Sequence, residues 1–173
     1  IGVVVATYPD VKFIVYHSAF ESDIIEGEYN PNNPQGVDRL IKTFQDNNIS
    51  PDSNVYAELG STWRFLMTSP TQAAHVIGKL LKFVGENRVV WGTDSIWYGT
   101  PQDQITAFRA FQISAEFQET YGYPAMTSEI REKVFGLNAA DAYGVDVNEI
   151  RCGITEDDIA KLQASLDGEA LPT

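Results

Sequence analysis

Cysteine occurs once in these 173 residues, as Cys152, and histidine only twice, as His17 and His75. A single thiol closes no intrachain disulfide, and no cysteine pair is available for a zinc knuckle, so a reducing, cytoplasmic compartment is expected rather than a secreted one. Basic residues are scarce: 12 Lys and Arg stand against 24 Asp and Glu, a formal net charge of -12. Such a chain repels nucleic acid and anionic lipid, which sets polyanion binding aside. No apolar run approaches the roughly 20 residues that span a bilayer, and the start has no basic, apolar, small-residue signal. The G-x-S-x-G elbow of a serine hydrolase is missing, and "GVVVAT" lacks the glycine fingerprint of a phosphate or dinucleotide loop.

What is present is an ordinary hydrophobic complement, 43% of the chain, enough for one core. The opening "IGVVVATYPDVKFIVYH" is hydrophobic and starts without methionine, and it reads as the interior of a longer domain. "VKFIVYH" (Val11 to His17) is β-branched and aromatic, the pattern of a strand buried on both faces. Residues 18–36, rich in Asn, Pro, Gly and acids, read as a surface excursion. Val37, Leu40, Ile41 and Phe44 then form one helical stripe. "SNVYAELGS" is a second strand, and the helix after it has Ser69 as N-cap, Pro70 in its first turn and Ile77, Leu80, Leu81 and Val84 on one face.

"RVVWG" is the third strand, followed by a helix with Thr100 as N-cap, Asp103 at the capping-box position and Ile105, Phe108 and Phe111 spaced for burial. Three strand–helix alternations with near-continuous apolar strands predict a parallel sheet covered by helices, doubly wound or barrel. Short helices stopped by glycine come next. The tail has a capping signature at Thr155 to Asp158 and the stripe Ile159, Leu162, Leu166, and residues 147–173 read as a helical appendage.

In parallel α/β folds, catalytic groups collect beyond the C-terminal strand ends. His17, Glu58 and Asp94 lie there. Alternation puts Phe13, Val15 and His17 on one face, and Val90, Gly92 and Asp94 on another shared face, with Gly92 leaving space beneath the carboxylate. Each residue also has an architectural reading. Asp94 in "GTDS" suits an Asx-turn or helix cap, His17 a core histidine, and Glu58 an ion pair with Arg64 or Lys12. His75, inside a helix, is structural. Carboxylate and imidazole together suit a divalent ion with an open position, which generates hydroxide near neutral pH. Such an ion takes about three protein ligands, so further ligands are expected from outside these residues.

"YPDVKFIVYHSAF", "NVYAELGSTW", "RVVWGTDSIWYGTPQDQI" and "FGLNAADAYGVD", in that order, resemble the C-terminal half of the metal-dependent amidohydrolase superfamily, in the amidohydrolase 2 branch that includes non-oxidative decarboxylases. The resemblance covers residues 1–146 and implies the sixth, seventh and eighth strands of a (β/α)8 TIM barrel, with extra C-terminal helices. It implies Asp94 as the metal-binding carboxylate that also handles a proton of the activated water. His17 would contact that water or the substrate. The cofactor implied is a divalent ion, Zn²⁺ by preference, and the reaction a hydrolysis, with decarboxylation of an aromatic or related acid as the alternative.

The family's other histidine ligands have no counterpart here, so the remaining N-terminal barrel strands are required partners. A catalytically incomplete scaffold is the non-enzymatic alternative. Trp97, Tyr98, Phe20 and Trp63 are candidates to shape a pocket for a small-molecule substrate, and a homo-oligomer is left open. Three strands alone would leave two unpaired edges.

Overall fold

The computed structural model describes residues 1–153 together with 158, 161, 162 and 165. Most of the tail pattern, including Thr155, Ile159 and Leu166, lies outside the described residues.

A short helix, α1 (Gly2–Thr7), opens the chain, although no periodicity in the opening segment announces it. It packs close to the helix at 37–46: a Cβ on Gly2 would stand 2.3 Å from Asn47 Nδ2. Strand β1 (Phe13–Val15) leads into a single 3-10 turn, and helix α2 (Val37–Asp46) comes after the excursion. Strand β2 (Val55–Glu58) runs into α3 (Gly60–Leu66) and α4 (Pro70–Lys79), which a π turn extends to Val84. Strand β3 (Val89–Val90) is followed by α5 (Ser95–Tyr98), α6 (Gln102–Ala110), α7 (Ala115–Tyr121), α8 (Ser128–Glu132), α9 (Asn138–Tyr143) and α10 (Val147–Gly153).

The strands form one parallel sheet in the order β1-β2-β3. Phe13 pairs with Val55 and Val15 with Ala57, while Ala57 pairs with Val89 and Glu58 with Val90. This is an α/β fold with a small parallel sheet, compatible with part of an amidohydrolase barrel. Among the described residues no strand pairs with the outer edge of β1 or of β3.

Two of the helical stripes behave as their spacing predicts, whereas on α6 only Phe108 is buried and Ile105 and Phe111 are half-buried. Val37, Leu40, Ile41 and Phe44 of α2, and Ile77, Leu80, Leu81 and Val84 of α4 and its extension, are all buried in one core with Val55 and Ala57 of β2. Each such aliphatic or aromatic group contributes about 1.5–3 kcal/mol by leaving water. The capping expectations shift slightly. Ser69 occupies the N-cap of α4, yet its Oγ accepts from Gln72 Nε2 at 3.1 Å rather than from the backbone. At α6 the helix begins at Gln102, with Pro101 in the cap position and the Gln102 N–H on Thr100 Oγ1 at 3.3 Å.

Two expectations are corrected. The first strand is not buried on both faces and does not reach His17: only Phe13–Val15 pair, and Ile14 and Tyr16 are 39% and 63% exposed. With no neighbour on its outer side among the described residues, the segment has nothing to hold it extended beyond the β2 register, and the chain turns left-handed at His17, Ser18 and Ala19, φ 55°, 53° and 60°. The excursion, for its part, is anchored. Glu26 is buried, accepts the Val37 N–H at 2.8 Å, and meets the fully buried Lys79 of α4 at 2.7 Å. Lys79 also meets Asp38 of α2 at 2.6 Å.

Candidate active site

The C-terminal ends of all three strands converge on one cluster. His17 lies just past β1, Glu58 closes β2, and Asp94 lies four residues beyond Val90 of β3. Because β2 separates β1 from β3, the imidazole and the Asp94 carboxylate meet across it: His17 Nε2 lies 3.2 Å from Asp94 Oδ2. The other ring nitrogen, Nδ1, lies 3.4 Å from Glu58 Oε2. His17 thus stands between two carboxylates, with about a quarter of its side chain in solvent (26%).

Strand alternation is not what aims the ring. The left-handed turn that carries it is tied to β2 and α3 by three bonds: His17 N–H donates to Glu58 Oε2 at 3.0 Å, Ser18 Oγ to the Glu58 carbonyl at 2.8 Å, and Thr62 Oγ1 to the His17 carbonyl at 2.8 Å. Left-handed backbone at residues other than glycine persists only where the surroundings hold it, and it gathers at functional sites.

Asp94 is also left-handed (φ 48°, ψ 32°) and sits at the N-cap position of α5, but its side chain makes no capping bond. The carboxylate turns toward the cluster instead. Oδ2 accepts from Ser61 N–H at 3.0 Å and Ser61 Oγ at 2.6 Å, and Oδ1 accepts from the exposed Tyr16 hydroxyl at 3.0 Å. The Ser61 N–H is shared with His17 Nδ1 at 3.2 Å. Burial by itself would raise the Asp94 carboxyl; the hydrogen bonds from Ser61 and Tyr16, with the His17 charge, overcome it and hold the group below the ordinary carboxylate range. Glu58 goes the other way. Its burial raises it, only partly offset by the N–H groups of His17 and Gly60.

Several residues stand elsewhere than the sequence suggests. Glu58 pairs with neither Lys12 nor Arg64: Lys12 reaches Asp141, and the Arg64 guanidinium lies 5.5 Å over the Tyr98 ring. The space at Gly92 is not an open floor under Asp94, because a Cβ there would stand 1.7 Å from Glu58 Oε1. The expectation that Trp63 lines a pocket is likewise corrected. It is 1% exposed, donates from Nε1 to the Gln104 carbonyl at 2.9 Å and packs on Phe108 and Phe111, because α3 turns that face inward.

Phe20 and Tyr98 flank Phe65, at ring distances of 6.2 and 6.4 Å, and Tyr98 meets Ser61 Oγ at 3.0 Å, so this aromatic row borders the cluster. Trp97, one turn from Asp94, is 77% exposed. His75 is buried among Phe117, Tyr121 and Tyr123, as a structural histidine should be. Sequence reasoning missed Ser61 and Tyr16. The signal for Ser61 is its place in "ELGS", three residues past Glu58 at the C-terminal end of the second strand, where polar side chains gather.

The residues fit one corner of a metal site. Asp94 Oδ2 is committed to Ser61 and His17, which leaves Oδ1, held only by the exposed Tyr16 hydroxyl, as the oxygen available to an ion. Among the described residues no group of three or more His, Cys, Asp and Glu is arranged to hold a metal. Two clefts of about 570 and 650 Å³ lie elsewhere, and neither is lined by His17, Glu58 or Asp94.

Residues 1–145 match the family described as Amidohydrolase. The chain belongs to the amidohydrolase superfamily, in its amidohydrolase 2 branch. No curated protein and no solved structure matches it. Members of the amidohydrolase superfamily usually bind divalent metals, and membership supports an enzyme of hydrolase-like type. Among the described residues of this amidohydrolase no helix is long and apolar enough to cross a membrane.

Proposed function

We propose that this chain is the C-terminal part of a divalent-metal-dependent hydrolase of the amidohydrolase type, acting on a small molecule with Zn²⁺ as its ion. The observation that carries the reading is the meeting of His17 and Asp94 across β2 at 3.2 Å, with the carboxyl of Asp94 held below its usual range. When bound, the ion supplies Lewis acidity and brings hydroxide within reach near neutral pH.

The residues of the chain do the rest. Asp94 offers Oδ1 as a ligand once the Tyr16 hydroxyl moves aside, and its Oδ2, fixed by Ser61, stays within reach of the imidazole. His17 Nε2 holds or passes the proton that leaves the attacking water, and its charge is balanced by the carboxylates on either side. Phe20, Phe65 and Tyr98 form an apolar border for the substrate, and Trp97 stands next to it. The remaining ligands come from barrel strands beyond these residues.

Decarboxylation of an aromatic acid is the second reading. It is favoured by Arg64 stacked over Tyr98 beside that border, since a guanidinium on an aromatic wall suits a ring-bearing carboxylate.

The test is made on protein that carries the remaining barrel strands. Asp94→Asn should lower bound metal and reduce turnover by about 10²–10⁴-fold, the range for a lost acid–base group. Unchanged metal content and turnover would overturn the assignment and leave the scaffold reading.

A further inference from the structure

We infer that Glu58 is a positioning residue: its carboxylate holds the left-handed turn at His17 and thereby aims the imidazole at Asp94. The role rests on the reading of His17 as the proton-handling group of the site. Glu58 is the last residue of the central strand, between the two strands whose ends carry His17 and Asp94. Its side chain is largely buried, 13% exposed, and among the described residues it is paired with no lysine or arginine in any of the ion pairs seen. What it has instead is backbone. Oε2 accepts the His17 N–H at 3.0 Å and stands 3.4 Å from Nδ1 of the same residue, and the same carboxylate accepts the Gly60 N–H.

The surroundings make room for this group through two glycines. A Cβ on Gly92 would stand 1.7 Å from Oε1, and a Cβ on Gly60 would stand 2.8 Å from Oε1 and 2.4 Å from His17 Nδ1. Glycine at both positions is what lets the carboxylate and the ring lie side by side. His17, Ser18 and Ala19 are three successive left-handed residues, and none is glycine. Such a turn relaxes unless it is held. Of the three bonds that hold it, only the one accepted by the Glu58 carboxylate also places a charge beside the ring.

The chemistry of the acceptor makes the role testable. A carboxylate has two acceptor oxygens and can serve the N–H groups of His17 and Gly60 together, whereas an amide has one oxygen and turns its NH₂ toward the second donor. Glu58→Gln keeps the shape and removes one acceptor, so the fold is retained while the turn is loosened.

The measurement is ¹⁵N NMR of the His17 and His75 imidazoles and of the His17 amide in labelled protein that carries the remaining barrel strands, with His75, packed among Phe117, Tyr121 and Tyr123, as internal reference. In Glu58→Gln the His17 amide proton should move upfield and the His17 ring signals should shift or broaden, while those of His75 stay in place. Glu58→Ala should show the larger change. Gly92→Ala should reproduce it with the carboxylate still present but displaced. His17 amide and ring signals in Glu58→Gln that coincide with those of the unaltered chain would overturn the inference. A denaturation midpoint that falls without any change at His17 would also overturn it and leave Glu58 a purely architectural residue. No substrate or metal enters this measurement, so its failure counts against Glu58 alone, and the hydrolase reading stands or falls separately on Asp94→Asn turnover.

Discussion

Lys79 and His17 each stand between two carboxylates, and the two settings are built in opposite ways. Around Lys79 the contacts are short, 2.7 Å to Glu26 and 2.6 Å to Asp38, and the lysine side chain is wholly out of solvent. The remaining carboxylate oxygens are also used, Glu26 Oε1 by the Val37 N–H and Asp38 Oδ2 by the Asn30 N–H. Around His17 the contacts are 3.2 and 3.4 Å, and the ring is partly in solvent. His17 and Asp94 are both left-handed. A closed set with every carboxylate oxygen engaged ties segments of chain together; the excursion, α2 and α4 meet at Lys79. A looser set on strained backbone at a strand end leaves room for a proton or a ligand to come and go.

The contrast can be broken most directly at Lys79. Lys79→Met should cost about 3–5 kcal/mol in urea denaturation, because it leaves two buried carboxylates without their cation. A loss below about 1 kcal/mol would mean that the triad is not what closes the excursion onto the core.

Trp63→Ala should cost a similar amount, about 3–5 kcal/mol for a large core aromatic. Trp97→Ala should change stability by no more than about 0.5 kcal/mol, as an exposed residue does. Equal losses for the two tryptophans would contradict the placement of one in the core and the other on the surface.

Asp94→Asn should change stability by less than about 1 kcal/mol, since asparagine keeps the shape of the side chain, still accepts from Ser61 and tolerates the left-handed backbone. A large loss in the same denaturation experiment would make Asp94 architectural, like Asp38, and erase the distinction between the two clusters.

The smallest effect is expected at the opposite end of the sheet. There Asp141 accepts from the Tyr56 hydroxyl and lies against Lys12 and Arg88, and these contacts, the tyrosine first, hold its carboxyl below the ordinary 3.8. A carboxyl lowered in the folded state contributes stability that is complete above its unfolded value and is lost as pH falls through the folded value. Denaturation midpoints tracked below about pH 4 should therefore fall more steeply for the unaltered chain than for Asp141→Asn. The difference is small because the side chain is half exposed, 52%. Parallel curves would remove Asp141 from the groups that tie α9 to the strands.

The sequence by itself determined the alternation of three strands with the longer helices α2, α4 and α6, though not the short α1, α3 and α5, and it determined most of the core. The stripes of α2 and α4 are buried where their 3.6-residue spacing puts them, and the three apolar runs pair as parallel strands. It also located His17 and Asp94 at strand ends, because a polar residue closing an apolar run is a local pattern. Only the tertiary structure decided where those side chains point and what they meet. The extent of β1 depends on which neighbours it has, and the direction of His17 on a turn held by Glu58 and Thr62 from distant parts of the chain. Glu58, read as an ion-pairing residue, finds backbone N–H groups instead, and Trp63, next to the site in sequence, turns into the core. Periodicity is a property of a segment, whereas the partner of a carboxylate or the face of an aromatic ring is chosen by hydrogen bonds and packing between segments.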